Sequence, residues 1–279
     1  MKNISCQSKI AMSAFQKIAI GSWLQPRDPS AYISLDVAAD SIFDFIQSFS
    51  SEHQITITHL VSKIIGHCLQ RQPCLNSVLI RNRLYIRKSV DVFISAAVNQ
   101  NAKDLSGFSI RNIDTLSVED IAEQFKDRLA VLHQNEDPVT QRIQERMSAM
   151  PTLLLKPFFR MMDFIQFTLN LAPRPMGIPK DRCGSVIITN IGAIGLKHAF
   201  SPLPPFCRCP FVLTIGKPYI GAIIDNDEVR PGRRITFGFT IDRRYVDSYE
   251  GGKMIRRFEK ILLNPWKYKT VFDWHYNDL

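Results

Sequence analysis

Apolar residues recur at two different periods along this chain, and the switches between them outline its elements. Phe15, Ile18, Ala19 and Trp23 fall on one face of a short helix from Ser13 to Trp23, which Pro26-Arg27-Asp28-Pro29 ends. Ala31 to Val37 then alternates as a strand. Helical spacing returns over Ser41 to Phe49 and over Thr58 to Gln70. In the second helix Leu60, Ile64, Ile65 and Cys68 form an apolar stripe, Thr58 is placed to cap the start, and Pro73 stops it. Ser77 to Ile80 and Leu84 to Ile86 predict a hairpin around Arg81-Asn82-Arg83. Val90 to Val98 reads as a buried strand and Gly107 to Ile110 as a short one. Ser117 to Leu132 reads as a long amphipathic helix opened by Ser117 and Asp120.

The second half is less regular. Asp137 to Pro151 is polar and helical in part, whereas Leu153 to Leu171 is strongly apolar and ends at Pro173-Arg174-Pro175. Ser185 to Thr189 is a strand that enters the turn Asn190-Ile191-Gly192. The proline-rich stretch Ser201 to Pro210 leads to a strand from Phe211 to Gly216. Tyr219 to Ile224 and Ile235 to Ile241 flank an expected turn at Asp225 to Arg233, and a helix follows from Gly251 to Leu263. Strands and helices mix without strict alternation, so the pattern predicts an α+β fold and argues against a doubly wound sheet. No internal repeat or low-complexity tract interrupts it.

Composition narrows the setting. With 279 residues and 45% apolar content, the chain can bury a substantial core as one large domain or two small ones. Its most apolar stretch carries Lys156, Arg160 and Asp163 with Pro157 inside it, unlike a spanning helix of about 20 mainly uncharged residues. Met1 to Gln7 lacks an apolar run with a small-residue cleavage site. A soluble, cytoplasmic protein with reduced cysteines is the resulting expectation. Cys207 and Cys209 are the only close pair among six cysteines, and no second pair or histidine cluster accompanies them, so no metal site is expected. The net charge of +9 is spread out, with local enrichment at Arg230–Arg234 and Arg256–Arg257. No nucleic-acid motif is present and aromatics do not interleave with the basic clusters. Steering of a polyphosphate ligand and an ordinary solvated surface both fit the charge.

The C-terminal segment Thr240-Ile241-Asp242-Arg243-Arg244-Tyr245-Val246-Asp247-Ser248, followed by a helix, is the most specific feature. It resembles the signature of the 2-oxoacid dehydrogenase acyltransferase catalytic domain and of chloramphenicol acetyltransferase: Asp-His-Arg, two apolar residues, Asp-Gly, then a helix. Other segments resemble that family in order. They are Arg27 to Val37 at the first strand, Thr58 to Asn76 with its Pro-x-Leu-Asn close, Asp91 to Val98, Leu116 to Leu129, and Ile188-Thr189-Asn190-Ile191-Gly192. Together they span about 10–267 of a single acyltransferase-like domain over 1–279, with 151–172 as an apparent addition. Lipoyl and subunit-binding domains, with their Ala/Pro-rich linkers, are absent from the pattern, so a free-standing catalytic-type domain is expected.

The resemblance implies a two-layer fold, a mixed sheet with helices on one face, and a homotrimer whose active sites lie between subunits. It implies coenzyme A as a substrate in a channel, no metal, and no covalent lipoyl group. Thr189 stands where a hydroxyl of the neighbouring subunit holds the oxyanion, with Asn190 and Gly192 beside it toward the cofactor. Asp247 stands where the family keeps a structural carboxylate paired with a basic residue of the first helix, here Lys17. Arg243 stands where the family has its catalytic histidine, and Ser248 where it has glycine. A guanidinium has no acceptor lone pair and cannot serve as a general base.

No other histidine substitutes plainly. His198 follows the Thr189 turn and can approach the site, or is a surface-loop residue; His53, His59, His67 and His133 fall in or at the ends of helices and His275 in a tail. Neither a Gly-x-Ser-x-Gly elbow nor a phosphate-cradling Gly-x-x-x-x-Gly-Lys loop occurs. Three readings stand: coenzyme A-dependent acyl transfer to a thiol, hydroxyl or amine; a catalytically inactive homologue acting as a binding or scaffolding subunit; and an apolar-ligand or membrane-surface protein using Leu153 to Leu171.

Overall fold

Two sheets and a layer of helices organise the chain in a computed structural model that describes residues 5–9, 11, 29–49, 54–97, 105–133, 151–172, 181, 183–204, 207–225 and 227–273. The helix expected over 13–23, with Lys17 in it, lies outside the described residues, as do 137–150, His53 and His275.

In chain order the described strands are β1 (Cys6–Lys9), β2 (Ser30–Ala38), β3 (Ser77–Ile80), β4 (Arg83–Arg87), β5 (Val92–Ala97), β6 (Leu105–Ile110), β7 (Val186–Asn190), β8 (Phe211–Ile215), β9 (Tyr219–Asp225) and β10 (Glu228–Asp242). The described helices are α1 (Asp40–Gln47), α2 (Ile57–Arg71), α3 (Val118–His133), α4 (Thr152–Asp163), α5 (Ser248–Leu263) and α6 (Lys269–Asp273). A small sheet runs β1-β4-β3, and a larger one runs β2-β10-β8-β7-β5-β6 with β9 paired to the outer half of β10. β7 is parallel to both β5 and β8, and the other pairs are antiparallel. This is the α+β arrangement with a mixed sheet that the irregular element order predicts.

The central strands read as apolar runs because both of their faces are covered. Val92, Ile94, Val186, Ile188, Leu213 and Ile215 join the main core with Ile64 of α2 and Phe258 of α5. Their alternates, Ile187 and Val212, meet Phe93, Leu203 and Cys209 on the opposite side. Helices thus lie on one face and loop segments on the other.

Local chemistry explains the ends of the elements. α2 opens with a capping box formed by Thr56 and His59, in which the Thr56 N–H donates to His59 Nδ1 at 3.2 Å. Thr58, expected as the cap, is instead inside the first turn and buried. Its hydroxyl accepts from Asn190 Nδ2 at 3.1 Å. α3 begins with reciprocal bonds: Ser117 N–H to Asp120 and Asp120 N–H to Ser117 Oγ. The β3–β4 hairpin turns on Arg81 and Asn82, both left-handed at φ 51° and 57°, as a tight two-residue hairpin requires.

The turn expected over Asp225 to Arg233 is much shorter. β9 and β10 remain paired from Tyr219↔Arg234 out to Asp225↔Glu228, forming a ribbon. Pro231 and Gly232 sit within that strand. β2 ends opposite Arg234, so the outer half of β10 is an edge where proline is tolerated. Gly232 leaves room for Ile223, whose Cδ1 would lie 2.3 Å from an added Cβ. The basic cluster there is neutralised: Arg233 pairs with Asp40 and Asp44, Arg234 with Asp36, and Arg230 with Asp40.

The expectation of six reduced cysteines is also corrected. Cys183 and Cys207 form a disulfide, while Cys6, Cys68, Cys74 and Cys209 are free. The partners are 24 residues apart in sequence and are brought together by packing on the helix-free face. No local spacing could announce that pairing.

Burial has a pH consequence. His59 is 5% exposed, lies edge-on to Phe125, and desolvation holds its imidazole down to about 4. An unfolded imidazole takes up its proton near pH 6.5. Between those values the unfolded chain therefore binds more protons, and stability present above about pH 6.5 is lost as pH falls toward 4. His59 alone accounts for a loss of about 2 kcal/mol at pH 5. His67 is shifted in the same direction, first by desolvation and then by Arg71, Lys63 and Arg257. Comparing urea midpoints at pH 7 and pH 5 should show the fall, and His59→Gln should reduce it while leaving an acceptor for the Thr56 N–H.

Candidate active site

Thr189, the last residue but one of the parallel strand β7, lies in a row of small residues. Across the sheet, Gly107, Ser95, Thr189, Thr214, Gly238 and Ser34 are in register. Alternation puts Thr189 on the face of Ile187, away from the helices. Segment 197–201 covers part of this row. Thr214 Oγ1 donates to Ala199 O at 2.6 Å, and Thr240 Oγ1 to Ser201 O at 2.7 Å. Gly238 and Gly216 permit that approach, because an added Cβ would sit 2.6 Å from Ala199 O and 2.0 Å from Lys197 O respectively. The half-buried Thr189 hydroxyl has no hydrogen-bond partner among the described residues and remains available as a donor.

Asn190 points to the other face, where it ties the turn to Thr58 at the start of α2. The glycine at 192 lets the turn pack against Gly216 and Lys217, whose nearest atoms would lie 2.9 Å from a Cβ. Both residues therefore hold the backbone after Thr189 in place. His198 is exposed on the covering segment, its ring 4.7 Å from that of Phe200.

Arg243 follows the last residue of β10. Its N–H donates to Pro29 O at 3.0 Å, and its Nη1 donates to Ser248 Oγ. The two positions that depart from the acyltransferase signature thus contact one another. Asp247 caps α5, accepting from the Glu250 N–H at 2.9 Å. Arg244 pairs with the buried Asp242 at 2.7 Å and closes the turn between strand and helix.

Thr189 and Arg243 do not come together within one chain. Thr189 lies level with Gly238, two strands away. Arg243 is five residues further along β10, so standard strand dimensions put their backbones roughly 20 Å apart. A polar cleft of about 370 Å³ lies at the Arg243 end of the sheet, lined by Ser5, Arg87, Ser89, Asp91, Arg111, Asn112 and Asp181. Its charges are internally matched by Arg111 with Asp91 at 2.6 Å and by Arg87 with Asp181. Among the described residues, no group of three or more His, Cys, Asp or Glu side chains is arranged to hold a metal ion.

The sequence reading overlooked Ser95, Thr214 and Gly238 as neighbours of Thr189. Their signal was the alternation of β5, β8 and β10, which becomes informative only once strand register is known.

A mixed sheet with helices on one face is the fold of acyltransferase-type catalytic domains. The model of the 2-oxoacid dehydrogenases acyltransferase (catalytic domain) family matches residues 7–137 and 180–269, and the chain belongs to that family. Among solved structures it is similar to a probable dihydrolipoamide acetyltransferase from Listeria monocytogenes, with TM-score 0.63 and 13% identity over 92% of this chain and 95% of that one. It is also similar to the cubic core of the pyruvate dehydrogenase multienzyme complex, with TM-score 0.64 and 14% identity over 93% of each chain. The dihydrolipoamide acetyltransferase of Azotobacter vinelandii gives TM-score 0.64 and 15% identity over 94% of this chain and 93% of that one. These likenesses establish the fold. No curated protein sequence matches the chain.

Proposed function

We propose that the chain assembles as a homotrimer and transfers an acyl group between a coenzyme A thioester and a thiol, hydroxyl or amine acceptor, in sites built between subunits. The separation of Thr189 from Arg243 carries this reading. Both groups occupy functional positions of the family, yet they lie at opposite ends of one chain's sheet and can meet only if different chains supply them. The β9–β10 ribbon supports self-association, since Ile220, Ile224 and Val229 are each more than 70% exposed on one of its faces.

The chemistry differs from a histidine-based transfer. Arg243 cannot take a proton, so the nucleophile best suited to the site is a thiol, a few per cent of which is already thiolate at neutral pH. Arg243 would hold that thiolate by charge. The thiolate attacks the thioester carbonyl, and Thr189 of the neighbouring chain donates to the oxyanion. Collapse of the intermediate expels the other thiolate, which takes a proton from water. Asn190 and Gly192 fix the turn beside which coenzyme A would lie.

Acetyl transfer from acetyl-coenzyme A to a small thiol tests this. Thr189→Val should lower turnover roughly 10- to 100-fold, the worth of one hydrogen bond to a charged acceptor, while Thr189→Ser retains most of it. Failure to bind coenzyme A would remove the proposal. The Arg243–Ser248 contact favours a second reading, a catalytically inactive homologue that binds or scaffolds. Coenzyme A binding with no transfer in the wild type would select it.

A further inference from the structure

The segment outside the family match, 138–179, contains an exposed apolar surface among its described residues. α4 passes at Phe164 into a π-helical turn (Phe164–Thr168). One side of this unit is anchored. Phe167 packs with Val78, Ile80 and Tyr85, and its carbonyl accepts from the Arg81 N–H at 3.2 Å. Arg208 clamps Asp163 at 2.7 Å and stacks 4.8 Å over the Phe167 ring.

The opposite side is apolar and bare. Leu154, Pro157, Met161 and Phe164 follow one another at spacings of three, four and three residues and form a single outward stripe. Leu154, Met161 and Phe164 are 53%, 47% and 52% exposed, and Leu169 and Leu171 extend the patch at 41% and 44%. Exposed arginines border it: Arg160 on the helix, and Arg81 and Arg83 at the hairpin tip bonded to its end. The only acidic residue of the described segment, Asp163, is neutralised by Arg208.

We propose that this face rests on an anionic lipid bilayer, with Leu154, Met161 and Phe164 entering the interface and Arg160, Arg81 and Arg83 meeting the phosphate headgroups. Length excludes spanning, since no described helix is long and apolar enough to cross a membrane. Charge favours lipid over a second copy of this chain. A two-fold contact between identical faces would bring the same cations together around a dry centre. A fluid interface accepts an apolar stripe without a groove in which an anchor residue must be seated. An apolar stripe with flanking arginines supplies the two signals that stable surface binding requires.

Sedimentation of the full chain with phosphatidylcholine vesicles, with and without phosphatidylglycerol, tests the proposal. Binding is expected with phosphatidylglycerol, weakening with added salt. Met161→Asp combined with Phe164→Asp should lower the partition coefficient by about tenfold or more, and Arg160→Glu by about tenfold. All three side chains are exposed, so urea midpoints should stay at the wild-type value and separate lost binding from lost folding. The proposal is overturned by absence of binding, by equal binding to uncharged vesicles, or by an assembly in solution that the aspartate variants dissociate. Acyl-transfer activity does not enter the readout, so this inference and the proposed function stand or fall separately.

Discussion

Arg243→His should raise acetyl transfer to a small thiol by roughly 10²- to 10⁴-fold, the usual contribution of a positioned general base. The substitution replaces a group that cannot accept a proton with one whose free pKa lies near 6.5. The scaffold around position 243 favours the experiment. Its N–H is fixed to Pro29, Asp242 and Arg244 hold the turn through their ion pair, and Asp247 secures the following helix. Ser248 currently occupies the arginine, so pairing the change with Ser248→Gly removes a side chain that would otherwise compete for the imidazole. The rate of the variant should fall below about pH 6.5 as the imidazole becomes charged. A clearly active wild type with no gain from histidine would mean that position 243 does not face the reacting thiol.

Phe258→Ala should cost about 3–5 kcal/mol of stability, a large fraction of what a domain possesses. Phe258 is fully buried on α5 and stands edge-on to Phe237 and Phe239, with ring centroids 5.5 and 5.4 Å away. These rings join α5 to β10 at the centre of the sheet, on either side of the level of Thr189's row at Gly238. Truncation leaves a cavity bounded by strands that hydrogen bonds hold in place, so collapse into it is limited. Urea denaturation checks the effect through a lower midpoint at an unchanged slope. A midpoint shift worth less than about 1 kcal/mol would mean that the core repacks freely around the gap.

Elements with a single dominant signal were readable in the sequence. The stripe of α2, the alternation of β2 and the Ser117–Asp120 cap of α3 each depend on residues a few positions apart, and local periodicity reports such contacts. The ordered motifs likewise pointed to the acyltransferase fold. What escaped depends on contacts distant in sequence. A turn was expected over the whole of Asp225 to Arg233 because nothing local reveals that β10 has a free edge there. The Cys183–Cys207 bond and the pairing of Arg230–Arg234 with Asp36, Asp40 and Asp44 required the tertiary arrangement. For the candidate site, Thr189 and Arg243 were singled out through motif position. The distance between them was not readable there, because it follows from strand register. The Arg243–Ser248 contact was within reach of the sequence, five residues apart around a helix start, but only side-chain direction reveals it.

The roughly 20 Å between Thr189 and Arg243 has a genetic meaning under the proposed assembly. Each protomer would contribute halves to two different workplaces and own none outright. A polypeptide damaged only at one half, mingled with another damaged only at the other, would rebuild some intact junctions. Such lesions would then behave as complementing alleles, whereas in an enzyme that works alone they would simply be two defects.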